Sequence, residues 1–305
     1  MFTARNKGRL ALAAVAVGVS LTLAGCGSST GDGSGDGSGD GDKGTIVVGS
    51  QAYYSNEIIA EIYSQALENA GYTVTRQFQI GQRDAYLPAL EKGEVQLFPE
   101  YTGNLLQYYT PDTTATKSDD VYAALADALP AGLTVLDQSP ATDQDSYNVT
   151  KDFADKYSLK SIGDLKNADV PLILGGAPEL ETRPYGPDGL KGTYGVDVSF
   201  QATGDTTVDS LTSGVINIAN VYSADPRIKS AGLVTLADPE GLFLASNVVP
   251  LVSKDIADEI ADVINPISAA LTPEGLVALN VESVDDQKSS ADIAKGWLTD
   301  NGFLK

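Results

Sequence analysis

What limits the fold of this chain above all is a regular alternation of strand and helix signals that begins at Thr45. Residues 45–48 form a short β-branched run. Ile58, Ile59, Ile62, Tyr63, Ala66, Leu67 and Ala70 then recur at helical spacing, and Gly71 ends the pattern. Ser55 or Asn56 stands where a helix cap is needed. A strand at 72–78, a short helix near 86–92, Gly93 and a strand at 95–98 follow. Strand, helix, strand, helix, strand implies an α/β fold with a largely parallel sheet covered by helices.

A weaker echo appears later, with strands expected at 172–174 and 196–200, a helix at about 206–213, Gly214 and a strand at 215–221. Leu90 precedes Gly93 by three residues and Tyr101 follows it by eight; Leu211, Gly214 and Tyr222 repeat that spacing. Each stretch reads as a helix stop and a strand that delivers a Tyr at its carboxyl end, where open α/β sheets bind ligands. Helix–Gly–strand is common in any α/β protein, so the pattern alone leaves open both a facing pair of tyrosines and coincidence. Helical segments at 256–271, 274–280 and 291–301 are expected to pack back on the first lobe. Lobe 1 is then 45–146 with 247–305, lobe 2 is 147–246, and the two crossings form a hinge.

The amino terminus carries an address. Arg5, Lys7 and Arg9 precede an apolar run from Leu10 to about Leu23, which ends in Leu23-Ala24-Gly25-Cys26. A basic start, a short apolar stretch and small residues at the cut describe a secretory signal over 1–25. The run is short for a membrane-spanning helix. Leu-Ala-Gly-Cys resembles a bacterial lipobox, which implies lipidation of Cys26 and attachment to the outer face of the cell membrane. Residues 26–44 are rich in Gly, Ser and Asp and read as a flexible, solvated tether. Their Asp spacing lacks the ligand pattern of an EF-hand.

Composition excludes several classes of function. A formal net charge of −21 disfavours nucleic acid as a partner, because phosphate binding needs clustered Lys and Arg. The sequence has no His, which removes Ser-His-Asp and Cys-His catalysis and His-based metal sites. One Cys forms neither an internal disulfide nor a thiolate metal cluster. The expectation is a protein without cofactor or metal, acting as a monomer and not as an enzyme.

Tyrosine is the overused aromatic, with 14 Tyr against seven Phe and one Trp. A Tyr ring attracts a cation on its face while its hydroxyl tolerates water, and a methylated ammonium needs several rings because it offers no donor to grip. Tyr63, Tyr72, Tyr108, Tyr122 and Tyr157 read better as packing or surface residues. Tyr101, Tyr147 and Tyr222 fall among motifs in a telling order: Gly49-Ser50-Gln51, Pro99-Glu100-Tyr101-Thr102-Gly103-Asn104, Asp143-Gln144-Asp145-Ser146-Tyr147, Glu181-Thr182-Arg183-Pro184 and Val221-Tyr222-Ser223-Ala224-Asp225. In that order they resemble the substrate-binding proteins of glycine betaine, choline and carnitine importers, the OpuC/ProX-like family, over most of 45–305.

That resemblance implies a bilobed, type II periplasmic-binding-protein fold of two Rossmann-like lobes, a quaternary-ammonium solute as ligand and an ABC permease as partner. It implies that Tyr101, Tyr147 and Tyr222 wall the cation and that Asp145 lies near the ammonium end. Arg183 and Asn104 match positions that hold a ligand carboxylate, and Gln51 a position held by Lys or Gln. One departure stands out: Leu244-Ala245-Ser246-Asn247 has Ser246 where the family has a fourth cage Tyr, leaving one wall open unless Tyr53 or Tyr54 fills it. An amino acid, a thiolated betaine of the ergothioneine type or a polyol is the alternative ligand. A carboxylate-based envelope hydrolase or adhesion module is the alternative of another class.

Overall fold

The structure is a computed structural model and describes residues 44–304. The signal segment, most of the tether and Cys26 lie outside the described residues. Among the described residues, ten strands form two five-stranded sheets. The chain starts in the first with β1 (Thr45–Gly49), β2 (Thr73–Gln77), β3 (Leu97–Tyr101) and β4 (Leu133–Val135). It crosses to the second for β5 (Asp145–Thr150), β6 (Ile173–Gly176), β7 (Ser199–Ala202), β8 (Ile218–Tyr222) and β9 (Leu233–Thr235), and returns as β10 (Val248–Ser253). The strand orders are β2-β1-β3-β10-β4 and β7-β6-β8-β5-β9. In each sheet three parallel strands are extended by an antiparallel pair, in which one strand enters from a crossing (β10 or β5) and the other leads towards one (β4 or β9). Thr142 and Asn247, one on each crossing, form an isolated antiparallel bridge.

The repeated Leu–Gly–Tyr spacing has one structural cause in both sheets. Gly93 and Gly214 take the left-handed backbone conformation that ends a helix, at φ of 74° and 77°. Val95 N then donates to Ala89 O at 3.3 Å, and Ile216 N to Ser210 O at 3.2 Å, tying the next residues back to the helix. Those residues are therefore spent on the turn. The strands expected at 95–98 and 215–221 begin later, at Leu97 and Ile218, and each ends on its tyrosine. The same effect moves the strand expected at 196–200 to Ser199–Ala202. Gly195 is left-handed there, and Val196 N returns to Leu190 O.

The first helix, Tyr54–Asn69, starts earlier than either expected cap. Tyr53 holds the cap position, and Ser55 and Asn56 are buried in the first turn. Asn56 is used as a brace: its Oδ1 accepts from Gln51 N at 2.9 Å and its Nδ2 donates to Pro99 O at 2.8 Å. The helix buries Ile58, Ile59, Ile62, Tyr63, Ala66 and Leu67 in one core with Ile260, Ile264 and Ile267 of Lys254–Ala270, Leu276 and Leu279 of Pro273–Val284, and Ile293 and Leu298 of Ser290–Asp300. Burial of each large apolar side chain is worth about 1.5–3 kcal/mol. The three carboxyl-terminal helices thus pack on the lobe that contains β1. A separate core around Leu174, Leu190 and Ile218 supports the second sheet.

Candidate functional site

Strand register brings the ends of both sheets to one place. Tyr101, the last residue of β3, pairs with Val248 at the start of β10. Tyr222, the last residue of β8, pairs with Asp145 at the start of β5. The carboxyl ends of β3 and β8 therefore sit beside the two interlobe crossings. The approach is tight. A Cβ added at Gly103 would meet Ala245 O at 2.7 Å and Leu244 Cβ at 2.8 Å, so the turn after Tyr101 rests directly on the returning chain. Only glycine fits there.

Above that contact, Asn104 gathers three partners. Its backbone N donates to Ser246 Oγ at 3.2 Å, and Ser246 Oγ donates to Asn104 Oδ1 at 2.7 Å. Its Nδ2 donates to Asp145 Oδ2 at 2.6 Å and to Tyr185 Oη at 3.1 Å. Ser246 thus orients the amide, and Asn104 links the lobe of β3 to a residue of β5. Asp145 is buried, and burial raises its carboxyl above the ordinary range.

Asp143, on the first crossing, bridges the lobes in a second way. Its Oδ2 accepts from Tyr53 Oη at 3.1 Å, and its Oδ1 accepts from Ala224 N at 2.9 Å. It is 3% exposed, and burial pushes its carboxyl up to about 7. Tyr53 lies 5.0 Å from Tyr222, centroid to centroid, and 4.8 Å from Tyr54. Tyr101 is buried, and burial raises its hydroxyl, with the nearby Asp143 carboxylate adding to the shift.

A buried ion pair underlies this group. Arg83 Nε and Nη2 reach Glu100 Oε1 and Oε2 at 2.9 and 2.7 Å, a bidentate arrangement. Tyr86 Oη also donates to Glu100 Oε1, and Gln51 Nε2 donates to Tyr86 Oη at 3.3 Å. Glu100 accepts in addition from the backbone N of Tyr101 at 2.8 Å. Gln51 is therefore held at the end of a chain of hydrogen bonds that starts at Arg83.

The expected site residues fall into four placements, of which Gln51 beside Tyr86 is one. Tyr101, Asn104, Asp145, Tyr222 and Ser246 meet at the junction of the lobes. Tyr147 is wholly buried; its hydroxyl donates to the carbonyl of Tyr185, and its ring packs edge-on to Phe243 at 5.0 Å. It braces Tyr185. Arg183 is half-exposed after the short 3-10 turn Pro178–Thr182, and its side chain makes no hydrogen bond or ion pair among the described residues. Sequence reasoning missed Tyr185, although it follows the quoted Glu181–Pro184 stretch by one residue. It also passed over Arg83, whose neighbours give no motif. Tyr53 was named only as a substitute wall.

A cleft of about 820 Å³ is lined by Tyr53, Tyr54, Asn220, Tyr222, Asp225 and Arg227 among others. A separate small crevice is lined by Asn104, Asp145, Tyr185 and Phe243 among others. No group of three or more metal-ligating side chains occurs among the described residues.

The chain is similar to known proteins over nearly all of this structure. It matches the family described as the substrate binding domain of ABC-type glycine betaine transport systems over residues 44–300. It is 28% identical to the glycine betaine-binding protein YehZ of Escherichia coli K12, over 83% of this chain and 91% of that protein. It is 24% identical to the Helicobacter pylori ergothioneine transport permease/ergothioneine binding protein EgtU, over 83% of this chain and 47% of that one. A crystal structure described as a glycine betaine/carnitine/choline ABC transporter superposes with a TM-score of 0.69 at 20% identity, covering 85% of this chain and all of the other. Its fold is that of the bilobed type II periplasmic binding proteins. With the match running from the first described strand into the last helix, the chain belongs to the family of substrate-binding domains of ABC-type glycine betaine transport systems.

Proposed function

We propose that this protein captures a quaternary-ammonium solute, of the glycine betaine, choline or carnitine type, between its lobes and passes it to a membrane permease. The observation that carries the reading is the meeting of tyrosines from both lobes, Tyr53 and Tyr101 with Tyr185 and Tyr222, around the buried carboxylates Asp143 and Asp145. Ring faces attract a methylated cation, and each contact contributes about 0.5–2 kcal/mol. Two carboxylates without an ion-pair partner supply the opposite charge. Tyr185 and Tyr53 take the place of the wall that Ser246 leaves out, while Ser246 holds Asn104. Arg183 and Gln51 orient a ligand carboxylate. No bond is made or broken. Leu23-Ala24-Gly25-Cys26 supports a lipid anchor at Cys26 on the extracellular face, from which a monomer swings on its tether.

Isothermal calorimetry on the purified full chain tests this. Saturable binding of glycine betaine, choline or carnitine that is lost in Tyr101→Ala, with urea denaturation showing that the variant is still folded under the conditions of the titration, is the expected result. Binding of proline or glutamine alone, or of no methylated ammonium, overturns it. The similarity to the ergothioneine-binding relative favours including ergothioneine, itself a betaine, in the same titration.

A further inference from the structure

Asp143 and Asp145 are separated by one residue, both are buried, and no Lys or Arg nitrogen makes an ion pair with either among the described residues. Their hydrogen bonds are to neutral donors: Tyr53 Oη and Ala224 N for Asp143, Asn104 Nδ2 for Asp145. Two carboxylates so placed resist ionising together, since each burial and each like charge disfavours the anion. The groups facing Asp143 from every neighbouring element keep the balance negative or neutral. Tyr53 and Tyr54 face it from the first helix, Tyr101 from the end of β3, Asp145 and Tyr222 from the paired strands β5 and β8, and Asp225 from the loop after β8. Asp225 is already paired with Arg227, at 2.7 Å. Arg83, whose charge reaches Asp145, is likewise already paired with Glu100, so neither carboxylate has a cation of its own in the free site.

Resting on the cation reading above, we propose that Asp143 is the counter-charge of the bound ligand and that capture of the cation expels a proton from it. A permanent cation among the rings stabilises the carboxylate, the O–H bond of Asp143 breaks, and the proton leaves to solvent. No other bond changes. Binding and proton release are then linked, and affinity rises with pH until Asp143 is ionised in the free protein. The position of its carboxyl, up at about 7 through burial, puts that transition within an accessible range. Asp143 also ties Tyr53 of one lobe to the backbone of Ala224 in the other, so ionisation strengthens the bridge that holds the rings together.

Choline and glycine betaine are the probes, because neither titrates between pH 5 and 8. Calorimetry on the full chain at pH 7, in two buffers of different ionisation enthalpy, counts the protons released per ligand. The expected result is net release of a fraction of a proton, with affinity falling by up to tenfold per pH unit below about 7. Asp143→Asn, a mimic of the protonated acid, is expected to bind at least fivefold more weakly at pH 7.5, without proton release. Tyr53→Phe retains the carboxylate but removes a hydrogen bond that favours its ionised form, so its pH transition is expected to move upward. Binding without proton exchange, or an unchanged pH profile in both variants, overturns this inference and leaves the cation site standing. Failure of both probes and of every other methylated ammonium to bind overturns both.

Discussion

Tyr53 and Tyr222 belong to different lobes, yet their ring centroids stand 5.0 Å apart at an interplanar angle of 52°. Tyr53 gets there as the cap residue of the first helix, held by its hydroxyl to Asp143. Tyr222 gets there as the last residue of β8. The pair thus joins the two lobes at the edge of the cleft, beside Asp143.

That geometry predicts different outcomes for removing a ring and removing a hydroxyl. Tyr222→Ala should weaken binding of a methylated ammonium by about threefold to thirtyfold, the worth of one cation–ring contact. Tyr222→Phe should come within about threefold of wild type, because the ring face is retained. Calorimetric titration of the two variants side by side checks this. Equal losses in both would show that the hydroxyl, and not the ring, is what matters.

A second prediction concerns Gly103. A methyl group there meets Ala245 O at 2.7 Å, and a backbone oxygen has little room to yield. Gly103→Ala should destabilise the protein by about 1–3 kcal/mol, as overpacking does. It should also weaken ligand binding, since the neighbouring Asn104 is positioned by Ser246 on the same returning segment. Urea denaturation with and without ligand separates the two effects. A wild-type midpoint would show that the return segment moves aside freely.

Much of this was legible in the sequence because the signals are local. Helical spacing from Ile58 to Ala70, the Gly93 and Gly214 stops and the tyrosines eight residues on are all fixed by neighbours along the chain. Their agreement in the two lobes has the shared cause of a left-handed glycine and a backbone bond to the helix behind it. The antiparallel strands β5 and β10 were not legible as such, because their partners in β8 and β3 are 71 to 155 residues away. The caps misled for a related reason: Asn56 has a tertiary partner in Pro99 that outweighs its local preference. Tyr185 was hidden because nothing local says that its hydroxyl meets Asn104, 81 residues distant.

The buried pair beneath the site gives a third prediction. Glu100 is fully buried, and Arg83 depends on it for two hydrogen bonds. Glu100→Gln leaves a buried guanidinium without its countercharge and should cost about 3–5 kcal/mol. Arg83→Met added to Glu100→Gln removes the unpaired charge while keeping an acceptor for Tyr86 Oη and Tyr101 N, and should recover most of that loss. Urea midpoints of the single and double variants decide it. If the single change costs less than about 1 kcal/mol, water reaches the pair.

Asp143 gives the fourth prediction, in the ligand-free protein. Its carboxyl is raised by burial to about 7, against about 3.9 in an unfolded chain. The folded state therefore holds the proton more tightly than the unfolded state does. Below about pH 4 both states are protonated and the residue contributes no pH dependence. Between about 4 and 7 the unfolded chain ionises while the folded protein does not, so stability falls as pH rises, by up to about 1.4 kcal/mol per unit. Above about 7 both are ionised and the penalty is constant. Asp143→Asn lacks this slope, so wild type should gain stability over the variant as pH drops from 7.5 to 5. Carboxylates with depressed values, such as Asp164 under its backbone hydrogen bonds, act in the opposite sense and only below their unfolded value, outside this window. The difference in urea midpoint between wild type and Asp143→Asn, measured at half-unit steps, reads the slope directly. A saturating methylated ammonium should flatten it, since the bound cation holds Asp143 ionised. A difference that stays constant from pH 5 to 8 without ligand would mean that water enters the hinge and solvates the carboxylate.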